Sequence, residues 1–314
     1  MAATVTVHAL DAGHITIAER FFIVPSDPDA KHTVPSLSFL IQHKNPSTGQ
    51  ITRIVWDLGM RRDLNLYPAA LQTHIESRRP VDTMPDVVAS LSRGGLTVDD
   101  IDYVMFSHVH YDHVGMPRDF TNPKTKFIVG NGALDLLSGK TKHDLGKHMV
   151  FEADLLPTNQ AVELPPNDNS LADSPYQWTP LASFPHAIDF FHDGSVYILD
   201  APGHLPGHMN LLCRISSKPT KYVCLAGDSC HDVRLLSGEK DIATWTDETG
   251  RHCCIHVDIP QTKETLARLY SASKDGIHLD GEVANAQVEI VLAHDYAWEA
   301  DAKKAGKFFP GALK

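Results

Sequence analysis

The stretch that decides the fold is His108-Val-His110-Tyr-Asp112-His113, which directly follows an apolar run at residues 101–106. Such a run is typical of a buried strand, so these side chains lie where the strand ends and a turn begins. Alternate side chains of an extended segment share one face, so His108 and His110 can reach the same ion. The turn then directs Asp112 and His113 toward a second position. Imidazole nitrogens and carboxylate oxygens are the ligands that a zinc-type cation prefers where no thiolate is supplied.

Three later segments with strand character also end at potential ligands. Residues 195–200 lead into Ala-Pro-Gly-His204-Leu-Pro-Gly-His208, a tight loop marked by two Pro-Gly pairs. Residues 221–227 end at Asp228, and residues 287–293 end at His294. The chain contains 19 histidines, so a histidine-rich surface loop is the alternative interpretation. The repetition of the same arrangement at four strand ends favours one shared metal site instead.

The order and spacing of these blocks resemble the metallo-β-lactamase superfamily, over nearly the whole chain from the strand at Val5 to His294. Residues 94–104 and the doubled Pro-Gly-His are similar to the lactone-hydrolysing branch, the N-acyl homoserine lactonases. The resemblance implies an α/β fold, the αββα sandwich, in which two mixed sheets are flanked by helices. It also matches Asp57 to an early acidic turn of the family.

The resemblance further implies a dinuclear site with two zinc ions per chain. It assigns His108, His110 and His208 to one ion, Asp112, His113 and His294 to the other, and Asp228 as the bridge. In such a site a metal-bound hydroxide is available at neutral pH to attack the substrate. The resemblance also implies that Asp112 carries a proton to the leaving group. By this assignment His204 packs in the loop or supports a ligand.

The chain departs from its lactone-opening relatives three residues after the bridging aspartate. Many of them have a tyrosine there, whereas this chain has His231. We predict that His231 contacts the substrate carbonyl or the leaving atom, because histidine is the side chain whose ordinary pKa lies nearest neutrality. The alternative is that it orients a metal ligand. Tyr111 is predicted to line the substrate pocket, with plain packing as the alternative.

Composition narrows the possible partners. The net charge of −11 argues against a nucleic-acid partner, and no apolar run reaches the ~18 residues that a membrane helix needs. The amino terminus shows no signal-peptide pattern. Five cysteines without C-x-x-C spacing make disulfides unlikely and predict a cytoplasmic protein, with Cys230 outside the ligand set. A small-molecule substrate and a possible homodimer complete these expectations.

The segments alternate along one predicted domain, residues 1–314, with similar halves at about 1–165 and 186–314 and a loop-rich insertion near 141–185. Strands are expected at 4–10, 36–42 and 51–56, and helices after Pro85, at 131–137 and at 261–273. Long segments at 21–34, 60–80 and 141–185 are expected to rim the cleft and choose the substrate. The aromatic residues that could form a wall around it are Phe21, Phe22, Trp178, Phe184, Phe190 and Phe191.

These patterns favour a hydrolase that opens a lactone, a lactam or a cyclic carbamate. An acyl-thioester hydrolase, of the glyoxalase II or polyketide-releasing kind, is the alternative. It calls for a basic patch, and no concentrated Lys/Arg run lies near the ligand blocks. An iron redox enzyme is less favoured, since diiron relatives usually have Glu where His110 stands. A non-catalytic binding protein is also less favoured, because none of the seven predicted ligands is missing.

Overall fold

The computed structural model describes residues 2–171, 173–279 and 284–313. The strands are β1 (Val5–Leu10), β2 (His14–Ala18), β3 (Ile23–Val24), β4 (Lys31–Pro35), β5 (Ser38–Lys44), β6 (Ile51–Trp56), β7 (Tyr103–Met105), β8 (Lys126–Val129), β9 (Ala161–Glu163), β10 (Thr179–Leu181), β11 (Phe184–Asp189), β12 (Val196–Asp200), β13 (Met209–Ser217), β14 (Thr220–Leu225), β15 (Asp241–Ile242), β16 (Trp245–Thr246), β17 (His252–Cys253) and β18 (Gln287–Val291). The helices are α1 (Ala69–Glu76), α2 (Val87–Arg93), α3 (Tyr111–Val114), α4 (Ala133–Leu137), α5 (Val233–Leu236), α6 (Ile259–Asp275) and α7 (Tyr296–Lys304).

Two six-stranded mixed sheets form the centre of the molecule. The first has the order β1-β5-β6-β7-β8-β9, antiparallel from β1 to β6 and parallel from β6 to β9. The second has the order β10-β11-β12-β13-β14-β18, in which only the β14–β18 pair is parallel. The parallel strands β7, β14 and β18 each carry one of the ligand blocks directly after their carboxyl ends.

The side chains of each strand alternate between two cores. Phe39 and Ile41 of β5 face the second sheet, where they share a core with Leu211 and Val223. Leu40, between them, faces the opposite side and packs in a separate core with the helices α2 and α4. The outer face of the second sheet packs in the same way against α6. The order of layers is therefore helix, sheet, sheet, helix, which confirms the predicted αββα sandwich.

The local predictions agree with the structure at most elements. The strands expected at 4–10, 36–42 and 51–56 are β1, β5 and β6, and the three expected helices are α2, α4 and α6. The segment at 141–185 is less loop-like than predicted. It contributes an edge strand to each sheet, β9 to the first and β10 to the second, because short strands with half-buried or exposed side chains suffice at a sheet edge.

None of the helices in the described ranges is long and apolar enough to cross a membrane. All five cysteines are free and buried. Cys213 and Cys224 are completely buried in strands of the second sheet, as small core residues. The Cys230 thiol donates to the carbonyl of Asp232 and points away from the metal-ligating side chains.

Candidate metal centre

Three histidine nitrogens meet at the mouth of the sandwich. His108 and His110 follow strand β7, and His204 comes from the Pro-Gly loop between β12 and β13. Nε2 of His108 lies 3.0 Å from Nδ1 of His110, and Nε2 of His204 lies 3.2 Å and 3.0 Å from these two atoms. The three nitrogens form a nearly equilateral triangle. A tetrahedral zinc site with Zn–N bonds of 2.0–2.1 Å has nitrogens about 3.3 Å apart, so the triangle matches one face of such a site.

The charge state of these three rings suits a cation. Burial lowers the pKa of His108, of His110 and of His204 well below the ordinary histidine value. Each ring is therefore neutral near pH 7 and has a nitrogen lone pair available as a ligand.

A second set of donors lies beside the first. It consists of Asp112 and His113, on the short helix α3, and His294, directly after β18. Nε2 of His294 is 3.6 Å from Oδ2 of Asp112. Asp228 stands between the two sets. Its Oδ1 lies 3.2 Å and 3.3 Å from Nε2 of His113 and His294, and its Oδ2 lies 3.6 Å from Nε2 of His108.

Two fully buried atoms that lie 3.2 Å apart, one in the second set and one on Asp228, have no hydrogen bond within the described ranges. They are Nε2 of His113 and Oδ1 of Asp228. Buried polar atoms normally have partners, so orphaned atoms facing one point indicate a bound ion. The histidines around Asp228, foremost His231 and His113, hold the pKa of its carboxyl well below the usual range although burial opposes this. It is therefore an anion, as a bridging ligand must be.

Neighbouring groups fix which nitrogen of each ring faces the site. Nδ1–H of His113 donates to Oδ2 of Asp57 at 3.0 Å, and Nδ1–H of His294 donates to the carbonyl of Pro35 at 2.7 Å. Both rings therefore present Nε2 to the centre. The other oxygen of Asp57 accepts the Ser107 backbone N–H at 2.7 Å, which ties this carboxylate to the end of β7. Such outer partners set the ring orientation and the basicity of metal-binding histidines.

The structure exchanges the roles that the sequence analysis gave to His204 and His208. His204 occupies the position of the third nitrogen, whereas His208 belongs to neither ligand set. Nδ1–H of His208 donates to the carbonyl of Ala201 at 3.0 Å, and its Nε2 accepts the backbone N–H of Asp228 at 3.1 Å. Both nitrogens of His208 are thus engaged with backbone groups. The tight turn directs the first histidine of the loop inward, while the second stands directly before strand β13.

His231 lies over the cluster and touches Asp228. Its Nε2 is 2.9 Å from Oδ2 of Asp228, its ring stacks on His294 at 5.3 Å, and its Nδ1 is buried without a hydrogen bond among the described residues. These contacts fit the alternative in which His231 orients a ligand. They also leave Nδ1 free for a substrate.

The ligand sets border a cavity of about 40 Å³, here called the inner cavity. Its lining includes Tyr111, Asp112, Asp228 and His231. Tyr111 therefore lies at a cavity beside the ligand sets, where it was predicted to lie. Tyr111 also packs, because its ring lies edge-on to that of Tyr67 at 5.9 Å. Among the six candidate wall aromatics, Phe22 lines the inner cavity, whereas Phe184 is a core residue and Phe190 packs beside the core between the sheets.

Three histidines of this region were missed by the sequence analysis. Nδ1 of His256 lies 3.3 Å from Nδ1 of His204, so this ring supports the third ligand from behind. His74 and His148 line the inner cavity. Burial, reinforced by the nearby Arg78 guanidinium, lowers the pKa of His74 and of His148 to about 3. All three come from segments without a recognisable spacing, so no sequence pattern predicts them.

Comparison with known proteins supports this description. No family model matches the chain. A protein of Penicillium brevicompactum named as a cytochrome P450 monooxygenase is 29% identical over 327 residues, which cover 99% of this chain but 35% of that protein. A metallo-hydrolase of Annulohypoxylon moriforme is 30% identical over 75% of this chain and 59% of its own length. A γ-lactamase of Gibberella moniliformis is 29% identical over 57% of this chain and 70% of its own length.

The chain thus spans about a third of the length of the first of these relatives. Among solved structures, an N-acyl homoserine lactone hydrolase with the product N-hexanoyl-L-homoserine at its catalytic metal centre aligns over the whole of both chains, with a TM-score of 0.65 and 19% identity. A dizinc quorum-quenching lactonase covers 94% of this chain and 88% of its own, with a TM-score of 0.55 and 12% identity. These structural neighbours show that the chain has the metallo-β-lactamase fold, and its sequence is similar to those of a metallo-hydrolase and a γ-lactamase.

Proposed function

We propose that this protein is a dinuclear metal-dependent hydrolase that opens a small cyclic ester or amide, such as a lactone, a lactam or a cyclic carbamate. The observation that carries the proposal is the convergence of seven donors in two sets around Asp228, with the buried Nε2 of His113 and Oδ1 of Asp228 left without hydrogen bonds. The names of the similar proteins, γ-lactamase and N-acyl homoserine lactone hydrolase, support the same reaction class.

The residues present fit two divalent cations of the zinc type. One ion would be held by His108, His110 and His204, and the other by Asp112, His113 and His294, with Asp228 shared. This assignment replaces the predicted His208 by His204. Ions bound there would polarise the substrate carbonyl and provide a nucleophile from water at neutral pH.

Two side chains next to the ligands are suited to move protons. Asp112 lines the inner cavity, so its carboxylate can receive a proton and deliver it to the leaving group. Nε2–H of His231 donates to the Asp228 carboxylate, so Nδ1 accepts from the substrate when the ring is neutral and donates to the substrate carbonyl or the leaving atom in the imidazolium form. A nitrogen leaving group must be protonated before it departs, so a histidine at this position favours lactams and cyclic carbamates over lactones.

The test is a hydrolysis panel with protein of known metal content. Aliphatic lactones, aromatic lactams, cyclic carbamates and acyl thioesters are compared, while elemental analysis of the same sample gives the metal and its stoichiometry. We expect close to two ions per chain and turnover of at least one cyclic class. Full activity after complete removal of metal would refute the proposal.

His231→Ala provides a second test. The variant should keep both ions and lose roughly 10²–10⁴-fold in turnover, which is the usual contribution of a general acid or an oxyanion donor. Loss of an ion in this variant would instead place His231 in the ligand set, as its proximity to Asp228 and His294 allows. Unchanged turnover with both ions bound would leave His231 with a packing role only.

A further inference from the structure

A second, larger cavity adjoins the inner cavity, and none of the seven donors lines it. This outer cavity has a volume of about 430 Å³, compared with about 40 Å³ for the inner one. His74, Arg78 and His148 line both cavities, so the two meet at these side chains. The outer volume lies in the range of small-molecule sites in proteins. A substrate whose scissile bond enters the inner cavity therefore has its remaining atoms in the outer cavity.

The charge of the outer cavity is opposite to that of the whole protein. The chain has a net charge of −11. The cationic side chains of the cavity that form no ion pair within the described ranges are Arg20, Lys31, Arg78 and Lys147. The cavity has two carboxylates among the described residues. Asp247 is paired with Arg251, so Glu248 is the one carboxylate whose charge is not offset by an ion pair there. A cleft lined by charges of one sign attracts ligands of the other sign.

Arg78 is the cation closest to the reacting centre. It is half-buried and follows helix α1, where its backbone N–H donates to the Ile75 carbonyl at 2.8 Å and its own carbonyl accepts the Thr16 N–H at 2.8 Å. These bonds anchor the backbone of Arg78 on both sides. Its guanidinium lies 5.6 Å from the ring of Phe21 and, among the described residues, makes neither a hydrogen bond nor an ion pair. A half-buried guanidinium without a partner is suited to bind a carboxylate through two parallel hydrogen bonds.

The wall next to Arg78 is aromatic. The rings of Phe21 and Trp245 are 4.9 Å apart and both line the outer cavity. They come from the segment after β2 and from β16, which are remote in the sequence. Nε2 of His148, which is buried, has no hydrogen bond among the described residues and is a further polar group at the junction of the cavities.

We propose that the substrate carries a carboxylate on the side remote from the scissile bond, and that Arg78 binds it. The apolar body of the substrate packs against Phe21 and Trp245, and the scissile bond reaches the inner cavity. This inference rests on the proposed function for the position of the scissile bond, and it adds the chemical class of the substrate. The four cations also offset the repulsion that a protein of net charge −11 exerts on an anion.

The test uses three lactones that differ only at the end of one chain. They are N-hexanoyl homoserine lactone, the analogue whose acyl chain ends in a carboxylate, and the methyl ester of that analogue. With metal-loaded wild-type protein we expect kcat/KM to be at least about tenfold higher for the carboxylate than for the methyl ester. A hydrogen-bonded pair with a charged group contributes about 1.5–3 kcal/mol, which corresponds to about 10- to 150-fold.

Arg78→Met should abolish this preference, so that the kcat/KM values for the carboxylate and for the methyl ester lie within about threefold of each other. The matched control is Arg118→Met, which removes one positive charge from an exposed pair with Asp154 far from both cavities. It should keep the preference. Equal rates for carboxylate and ester in the wild type, or an unchanged preference in Arg78→Met, would overturn the inference while the hydrolase assignment stands. Arg78-dependent hydrolysis of an acyl-coenzyme A thioester, without a preference among the lactones, would also overturn it.

A binding measurement separates the inference from the reaction. Calorimetry with 3-phenylpropionate and with its neutral amide reports the anion site even if none of the lactones is hydrolysed. We expect the carboxylate to bind at least tenfold more weakly to Arg78→Met than to the wild type or to Arg118→Met. A carboxylate that binds the metal ions directly would bind all three proteins equally, and that result would overturn the inference.

Discussion

The exchange of His204 and His208 leads to a prediction in which two similar substitutions have different consequences. Both residues are buried histidines of one short loop, so His204→Ala and His208→Ala remove the same atoms from nearly the same place. In the structure Nε2 of His204 faces two other ligand nitrogens at 3.0 Å and 3.2 Å. Both nitrogens of His208 instead bind backbone groups. The first substitution should therefore affect metal binding, and the second should affect stability.

The size of each effect follows from these contacts. Loss of the hydrogen-bond partner of a metal ligand lowers metal affinity by about 10- to 100-fold. Loss of the ligand His204 itself should therefore lower the affinity for one ion by more than ~100-fold. His208→Ala leaves the Asp228 N–H and the Ala201 carbonyl without their partner. Each orphaned buried group costs about 1–3 kcal/mol, so the free energy of unfolding should fall by about 2 to 6 kcal/mol. His204→Ala deprives no backbone group of a hydrogen bond, and the metal-free protein should be less destabilised by it.

The assay combines elemental analysis, after dialysis against buffered zinc, with urea denaturation of the metal-free proteins. His204→Ala should retain close to one ion per chain, and folded His208→Ala should retain close to two. The reverse result, one ion in His208→Ala and two in His204→Ala, would refute the assignment and restore the ligand that the sequence predicted.

Two further substitutions test the support of the site. Asp57→Asn should lower the affinity for the ion on His113 by about 10- to 100-fold, because an amide is a poorer acceptor for the Nδ1–H of this ring. A competition assay with a chelating dye measures this affinity. An unchanged affinity would mean that Asp57 has a structural role only. Gly203→Ala places a Cβ 2.3 Å from the backbone nitrogen of Thr262 at a φ of +129°, and should lower the free energy of unfolding by more than ~3 kcal/mol. Gly95→Ala, at a φ of +78° with open space around it, is the control and should cost about 1–2 kcal/mol in the same urea titration.

Sequence alone predicted the layers of the fold and six of the seven donors that meet in the structure. His108, His110, Asp112 and His113 could be predicted because strand and turn geometry fixes where side chains two to five residues apart will point. The strand ends at Asp228 and His294 were recognisable from the apolar runs before them. In the Pro-Gly loop both histidines have the same local pattern. The choice between them depends on the path of the turn and on the position of the Asp228 backbone, which sequence spacing does not contain.

The outer cavity is a stronger example of a feature that sequence spacing does not predict. Its four unpaired cations come from Arg20, Lys31, Arg78 and Lys147, positions up to 127 residues apart that form no basic run. The absence of such a run was the reason for disfavouring an acyl-thioester hydrolase. Folding brings these charges together because the segments after β2, after α1 and before β9 all pack at the mouth of the sandwich. The sequence therefore contains these charges but not their arrangement, which depends on the path of the folded chain.

The second histidine of the Pro-Gly loop then has a physical role that does not require a metal. Asp228 can face both ligand sets only if its backbone is held at one position, because its Oδ2 lies beside His108 of the first set and its Oδ1 beside His113 of the second. His208, directly before strand β13, holds that backbone N–H, and it is itself fixed by the Ala201 carbonyl at the start of the same loop. The loop thus supplies one ligand through His204 and positions another through His208. A loop with a single histidine could do only one of these, which gives a reason for the doubled Pro-Gly-His.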